Sequence, residues 1–367
     1  MKPMSETQND FDLKQVNTDY EKCPNCAGKM VFDPASQMLK CEYCGFFKRV
    51  EKDKNVVEND IEHGFEQAEK WDKSEQASYT CENCGANVIV GADEQAVICP
   101  YCGTSHVVKT GSFNGLRPGA VIPFMISAKQ AAEQAKKWAR KRIFAPRSFK
   151  KSLTVENLHG VYEPSFTFDS QTASSYYGRV GDRHTRTVGS GKNKRTETYI
   201  VYRNVSGGYN KFFDDIMIAA NDTLDQKTLD KLSPYKAQDA CVYKSKYLSG
   251  YVADAYKRDL KSCWTDAKDV MTQSIRSDIK NSLRCDVVDY LNVSTNYNNV
   301  TFKYMLIPVY IMNFMFRKKK YRVWMNGSTA KVTGKTPVSP WRVLIASVIG
   351  IALAVFLVWI FYLLGGE

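Results

Sequence analysis

The longest purely apolar stretch of the chain lies close to its C-terminus. Residues 343–364 carry no charge and read Val-Leu-Ile-Ala-Ser-Val-Ile-Gly-Ile-Ala-Leu-Ala-Val-Phe-Leu-Val-Trp-Ile-Phe-Tyr-Leu-Leu. At about 1.5 Å per residue these span roughly 33 Å as a helix, enough to cross a bilayer. Elsewhere the periods are shorter. Tyr162, Pro164, Phe166 and Phe168 alternate with Glu163, Ser165, Thr167 and Asp169, which predicts a strand. Residues 174–188 and 195–209 read as arms of a long polar hairpin joined by 189–194. Three further strands are expected at 285–293, 300–306 and 307–315. Residues 317–325 and 328–332 then pair around Asn326-Gly327, a strong short-range hairpin signal.

Helical spacing marks other segments. Ala128, Ala131, Ala132, Ala135, Ala139 and Ile143 predict a helix over 128–144, capped by Ser127 and stopped by Pro146. A second helix is expected over 266–283. Val57, Ile61, Phe65, Ala68 and Trp71 predict a short amphipathic helix within 56–72, with His63 on its polar side.

Flanking residues orient the apolar run. Trp341 and Arg342 mark one interface, and Trp359 and Tyr362 approach the other. Arg317, Lys318, Lys319, Lys320, Arg322, Lys331, Lys335 and Arg342 precede the run, and no basic residue follows it. That bias places the larger, N-terminal part in the cytoplasm, and Met-Lys-Pro-Met-Ser-Glu-Thr at the start does not resemble a signal peptide. The expectation is a single-pass, tail-anchored protein of the cell membrane. Ala346, Gly350 and Ala354 recur every four residues, a small-residue stripe along which a second helix can pack.

Eight cysteines add chemistry to this outline. Cys23-Pro-Asn-Cys26 and Cys41-Glu-Tyr-Cys44 are separated by 14 residues, as are Cys81-Glu-Asn-Cys84 and Cys99-Pro-Tyr-Cys102. Each ligand of the second quartet follows its counterpart by 58 positions, so the unit is repeated. Paired C-x-x-C knuckles place four thiolates around one tetrahedral ion, and the expected cofactor is two structural Zn2+ ions. Ala27-Gly28, Gly45, Gly85 and Gly103 supply the small residues that knuckle turns require. Hairpins are expected between the pairs, with 30–32 against 37–39 and 88–90 against 96–98. Disulfides suit a cytoplasmic chain poorly.

Charge is unevenly divided. Residues 1–110 hold 12 basic and 19 acidic side chains, whereas residues 111–367 hold 39 and 20. The ribbons are therefore acidic modules on a basic body, better suited to protein partners than to phosphate. The densest basic run is Lys136, Lys137, Arg140, Lys141, Arg142, Arg147, Lys150 and Lys151, with no acid between residues 136 and 151. It reads as a lipid-headgroup or nucleic-acid contact, or as a solvated face. A membrane-tethered nucleic-acid binder using this run and the 179–195 hairpin is the alternative function.

Catalytic motifs are missing from the chain. The 189–194 turn departs from a phosphate loop, since position 186 is Arg and 193 is Asn. His63, His106, His159 and His184 are scattered, and Cys241, Cys263 and Cys285 read as structural thiols. The expected fold class is α+β: two tandem small β zinc ribbons, a mixed α+β body and one C-terminal transmembrane helix. The expected divisions are a flexible 1–20, ribbons at 21–50 and 79–110, a linker helix at 51–78, a body at 111–340 and the anchor at 341–367.

Taken together, the double ribbon, Val121-Ile-Pro-Phe124, Phe144-Ala-Pro, Gly160-Val-Tyr-x-Pro164 and Val323-x-x-Asn-Gly327 before the anchor resemble one family across essentially the whole chain. It comprises the bacterial membrane-anchored zinc-ribbon proteins encoded beside phage-shock protein A and a flotillin-like (SPFH) protein in Bacillus-type operons. The resemblance implies a non-enzymatic adaptor in an envelope-stress complex, with those two proteins as partners. Members often carry a replication-restart helicase or primosomal label, but this chain lacks a helicase motor motif.

Overall fold

The computed structural model describes residues 22–62, 64, 76–91, 98–105, 107–111, 115–317 and 319–364. Strands β1 (Met30–Asp33), β2 (Met38–Cys41) and β3 (Phe47–Arg49) form a three-stranded antiparallel sheet. The predicted hairpin is present with its register shifted by two residues: Met30 lies opposite Cys41 and Phe32 opposite Leu39. Asp33 closes its turn by accepting from the Ser36 amide at 3.0 Å and hydroxyl at 2.7 Å. This small sheet is seated on the body. Met30, Phe32 and Leu39 are buried in the main core. The Phe32 amide donates to the Ser249 carbonyl (2.9 Å), and the Gln37 side chain donates to the Phe124 carbonyl (2.7 Å).

The segment after it is extended or turned over 56–62, and Gly64 beyond it is helical. β4 (Asn59–Asp60) pairs with Phe302 and Thr301. The predicted amphipathic helix fails over 56–62 because a distant strand edge captures the segment. Glu58 reaches Lys303 at 3.0 Å and the Thr301 hydroxyl at 2.9 Å. Phe65, Ala68, Trp71 and His63 lie outside the described residues, as do His106 and residues 1–20.

The second cysteine unit is also organised differently from expectation. β5 (Gln76–Cys81), β6 (Asn87–Gly91) and β7 (Val107–Gly111) form no separate small ribbon but belong to a 12-stranded sheet. β6 pairs with Gln76–Thr80, upstream of the first cysteine pair, and residues 96–97 of the expected second arm lie outside the described residues. Val88, Ile89 and Val90 are all buried, because both faces of β6 are covered.

The body follows from β8 (Ala120–Val121). Helix α1 (Ala128–Arg140) starts at Ser127, whose side chain forms a reciprocal capping box with Gln130, and buries Ala131, Ala132, Ala135 and Ala139. Pro146 precedes the short α2 (Arg147–Lys151). The predicted strand at 162–169 and the first hairpin arm are one 31-residue strand, β9 (Leu158–Val188). It turns into β10 (Arg195–Ala219), with Val188 opposite Arg195. α3 (Gln226–Leu232), β11 (Cys241–Val242) and β12 (Val252–Asp254) lead to α4 (Leu260–Leu283), capped by Asp259. The three strands expected between 285 and 315 are likewise a single strand, β13 (Val287–Phe316). β14 (Lys319–Asn326) and β15 (Val332–Gly334) form a hairpin here, but with a longer connection than the tight Asn326-Gly327 turn expected. Met325 lies opposite Val332, and residues 328–331 are loop because the Asn326 side chain accepts from the Ser328 and Thr329 amides. Helix α5 (Pro340–Leu364) contains the uncharged run.

Antiparallel β9 and β13 are the spine of the sheet, from Leu158 opposite Met312 to Val287 opposite Gly181. β12 joins this spine to β6, through parallel Ala253–Tyr162 pairing on one edge and antiparallel Ala253–Ile89 pairing on the other. Along the spine's inner half the alternation of apolar and polar residues does not separate core from solvent. Glu163, Ser165, Thr167 and Asp169 are as buried as Tyr162, Phe166 and Phe168. Packed structure covers both faces there, and this is where the unexpected polar chemistry lies.

Candidate metal centres and their surroundings

Each cysteine quartet is brought together by two tight turns. The amide after each pair donates back to the first cysteine carbonyl: Ala27 to Cys23, Gly45 to Cys41, Gly85 to Cys81 and Gly103 to Cys99. All four turn residues have positive φ: 55° at Ala27 and 72°, 70° and 72° at the glycines. In each quartet the four sulfurs lie within 4.8 Å of one another. The nearest pairs are Cys23–Cys44 at 3.4 Å, Cys26–Cys41 at 3.5 Å, Cys81–Cys102 at 3.5 Å and Cys84–Cys99 at 3.7 Å. Disulfide sulfurs sit about 2.05 Å apart, so none of these pairs is bonded. A tetrahedral ion with metal–sulfur bonds of about 2.3 Å needs sulfurs roughly 3.8 Å apart, and both quartets fit. Amides also prepare one of the donors. Hydrogen bonds from the Cys44 and then the Tyr43 backbone hold the Cys41 thiol down at about 6, against burial. Both clusters could therefore hold a metal ion. Four protein ligands around a tetrahedral ion would leave no open position for substrate.

The two centres differ in their settings. The first carries exposed aromatic residues: Tyr43, which lies across Gly28, is 79% exposed and Phe47 is 44% exposed. The second is clamped into the sheet. Arg322 donates to the Tyr101 carbonyl (3.0 Å) and Asn313 to that of Pro100 (2.7 Å). Tyr101, between two ligands, is buried, and its hydroxyl donates to Glu163 at 2.9 Å. Glu163 neighbours Asp254, which accepts from Asn221 and also meets Tyr101 and Thr223. Burial first, and then the charge of Asp254, pushes the Glu163 carboxyl well above its ordinary range; burial raises Asp254 to about 7. Two buried acids thus tie the second knuckle to β9 and β12. Sequence reasoning placed Glu163 on the polar side of a strand and so missed it.

A second buried cluster forms where β9, β10 and β13 bulge. The Lys303 ammonium lies 2.7 Å from Asp215, 3.0 Å from Glu58 and 3.6 Å from Asp169. Asp215 has φ 53° at the bulge, and its amide donates to Asp169. Burial, against the Asp215 amide and the Lys303 charge, raises Asp169 to about 6.

The remaining sequence-derived sites are surface features. Lys136, Lys137, Arg140, Lys141, Arg142, Arg147 and Lys151 are exposed and Lys150 is half-buried. Ile143 and Phe144, within this run, meet the start of the apolar helix. Arg342 donates to the Ile143 carbonyl (2.8 Å), and the Ser339 amide donates to that of Phe144 (2.9 Å). Residues 340–362 form a helix long and apolar enough to cross a membrane, with none of it buried against the body. Ala346, Gly350 and Ala354 lie exposed along it, and Gly350 has no neighbour where a Cβ would stand. His184 stacks with Tyr199 in the polar hairpin, and burial lowers His159. Cys241 and Cys263 are buried and Cys285 half-buried.

Three of the short motifs behind the family resemblance, those of Phe124, Gly160 and Gly327, meet around the Phe124 ring. Phe124 stacks on Tyr251 (4.2 Å between centroids) and contacts Tyr310 (4.7 Å) and Tyr162 (5.0 Å). A Cβ at Gly160 would meet Tyr251 at 2.6 Å, and one at Gly327 would meet Phe124 at 2.5 Å. Val161 lies opposite Val309 in the spine. These motifs are packing determinants rather than a reactive site.

No family model matches this chain, and no solved structure matches it. It is similar to the uncharacterized protein YdjG of Bacillus subtilis (strain 168), with 28% identity over 324 residues that cover 88% of this chain and 91% of that protein.

Proposed function

We propose that this chain is a membrane-anchored, zinc-stabilised adaptor that recruits cytosolic proteins to the membrane and performs no catalysis. The observation that carries this reading is the exposed Tyr43–Phe47 tip on the first cysteine unit. A metal-fixed turn holds two aromatic residues out into solvent, where burial by a partner would be favourable. Zinc is the ion that four thiolates at these distances favour. Thiolates stay reduced in the cytoplasm, and the basic residues preceding the apolar helix put the body on that side. The family resemblance supplies the partner classes, a phage-shock protein A-like protein and a flotillin-like protein, in an envelope-stress setting. A second membrane protein fits the stripe of Ala346, Gly350 and Ala354.

The test is crosslinking in native membranes, followed by purification of the tagged full chain beside a Tyr43→Ala/Phe47→Ala variant. The variant should keep two zinc ions per chain and lose the co-purifying protein. Equal recovery of partners by both forms would remove the first unit from the binding role. Nuclease-sensitive DNA or RNA retained by both would instead transfer the function to the basic body.

A further inference from the structure

The contact between the turn after α1 and the start of α5 gives the basic run a location that its composition does not. Lys136, Lys137, Arg140 and Lys141 follow one another at helical positions i, i+1, i+4 and i+5, a continuous face opposite the buried alanines. The chain then reaches Ile143 and Phe144, whose carbonyls hold Arg342 and Ser339 at the foot of the apolar helix. At the same foot Ile143, Phe144, Val338 and Trp341 are exposed by 66, 39, 55 and 70%. Cations and large apolar side chains are therefore interleaved where the body meets the helix.

We propose that this foot is a binding site for acidic phospholipid headgroups, and that it holds the body in a fixed pose on the membrane. The inference rests on reading Pro340–Leu364 as a membrane span. Charge complementarity selects the occupant, since a cytoplasmic leaflet is anionic and a basic segment beside a span lies within a Debye length of it. The exposed apolar group selects a bilayer over nucleic acid. Ile143 and Val338 have no stacking face for a base, but they partition into the headgroup boundary, where Trp341 is also at home. Glu133 and Glu156 are the acids nearest the run, and Glu156 feels the charge of Lys136. They leave the patch strongly positive.

Full-length chain would be reconstituted into nanodiscs of phosphatidylcholine alone, or with a third phosphatidylglycerol, and its lysines labelled with an amine reagent. Lys136, Lys137, Lys141 and Lys151 should label about fivefold more slowly in the acidic discs, the partition one charge gains at such a surface. Lys194, beyond the far end of β9, should be unchanged. A Lys136→Gln/Lys137→Gln/Arg140→Gln/Lys141→Gln variant, altered only at exposed positions, should insert normally and lose the protection at Lys151. Equal labelling in the two discs would overturn the site while leaving the span intact. Protection in neutral discs by added duplex DNA or inorganic phosphate, but not by acidic lipid, would also overturn it. Extraction of the chain from both discs at alkaline pH would refute the span, and this site with it.

Discussion

Ala27 is the residue at which the two cysteine units differ in a way that chemistry can weigh. It occupies the left-handed turn position that glycine fills in the other three knuckles, with φ 55°. A Cβ in that region costs about 1–2 kcal/mol, partly offset by the lower chain entropy of alanine in the unfolded state. Ala27→Gly should therefore stabilise the first unit by about 0.5–1 kcal/mol, read as a later unfolding midpoint in excess zinc; an earlier midpoint would assign the methyl group a packing role. Asp254 offers a second test, in pH. Its folded carboxyl titrates near 7 against an ordinary 3.8, so the folded state holds a proton that the unfolded chain releases. Stability is then full below about pH 4, falls as pH rises to about 7 and levels off above it, by roughly 4 kcal/mol for a shift of this size. Asp254→Asn keeps an acceptor for Asn221 and removes the titration. Comparing denaturant midpoints at pH 5.5 and 8 should show a clear fall for the natural chain and a flatter profile for the variant.

At the scale of elements, what could be read in the sequence and what could not divide along local and distant causes. The start and cap of α1, the long polar hairpin and the apolar α5 are set by neighbours in sequence and lie where the pattern puts them, although α1 stops at Arg140, short of the expected 144, and leaves Ile143 exposed. The length of β9 and β13 was hidden, because each was read as separate strands. Pro164 and Pro308 interrupt neither strand, each accommodated where its missing amide is tolerated. β4 was hidden because its partner is some 240 residues away. The same limit applies to the sites. All eight cysteines were legible from spacing, whereas Glu163 and Asp254 meet only once β9 and β12 are side by side, and Lys303 meets Asp169 and Asp215 only once β10 and β13 flank β9. Lys303 makes the point energetically. Three carboxylates face one ammonium in a largely buried setting, and removing the cation leaves them uncompensated. Lys303→Met should cost about 3–5 kcal/mol, measured by denaturant unfolding, and Asp215→Asn in the same background should restore part of it. A loss below 1 kcal/mol would mean that solvent already screens the cluster.

Across the whole molecule, the two metal centres sit at different depths in one architecture. The first holds a three-stranded sheet that shares no ladder with the rest and leans on the body through Phe32, Gln37 and a few buried side chains. The second holds β5, β6 and β7, which continue through β12 into the β9–β13 spine. Breaking either centre removes a local core that strands this short cannot replace. The consequences should nevertheless travel different distances. In Cys23→Ser/Cys26→Ser chains, hydrogen exchange should accelerate in β1 to β3 and stay slow in the spine around Val161 and Val309. In Cys81→Ser/Cys84→Ser chains it should accelerate through β6 and β12 and reach β9, because Ala253 bridges Ile89 and Tyr162 and because Tyr101 no longer anchors Glu163. Equal, purely local effects of the two variants would mean that the large sheet is stable without its second metal unit. The asymmetry also governs how partner binding is dissected. A variant in the second centre would damage the scaffold together with any surface it carries, whereas changes at Tyr43 and Phe47 leave ligands and spine in place and isolate the surface itself.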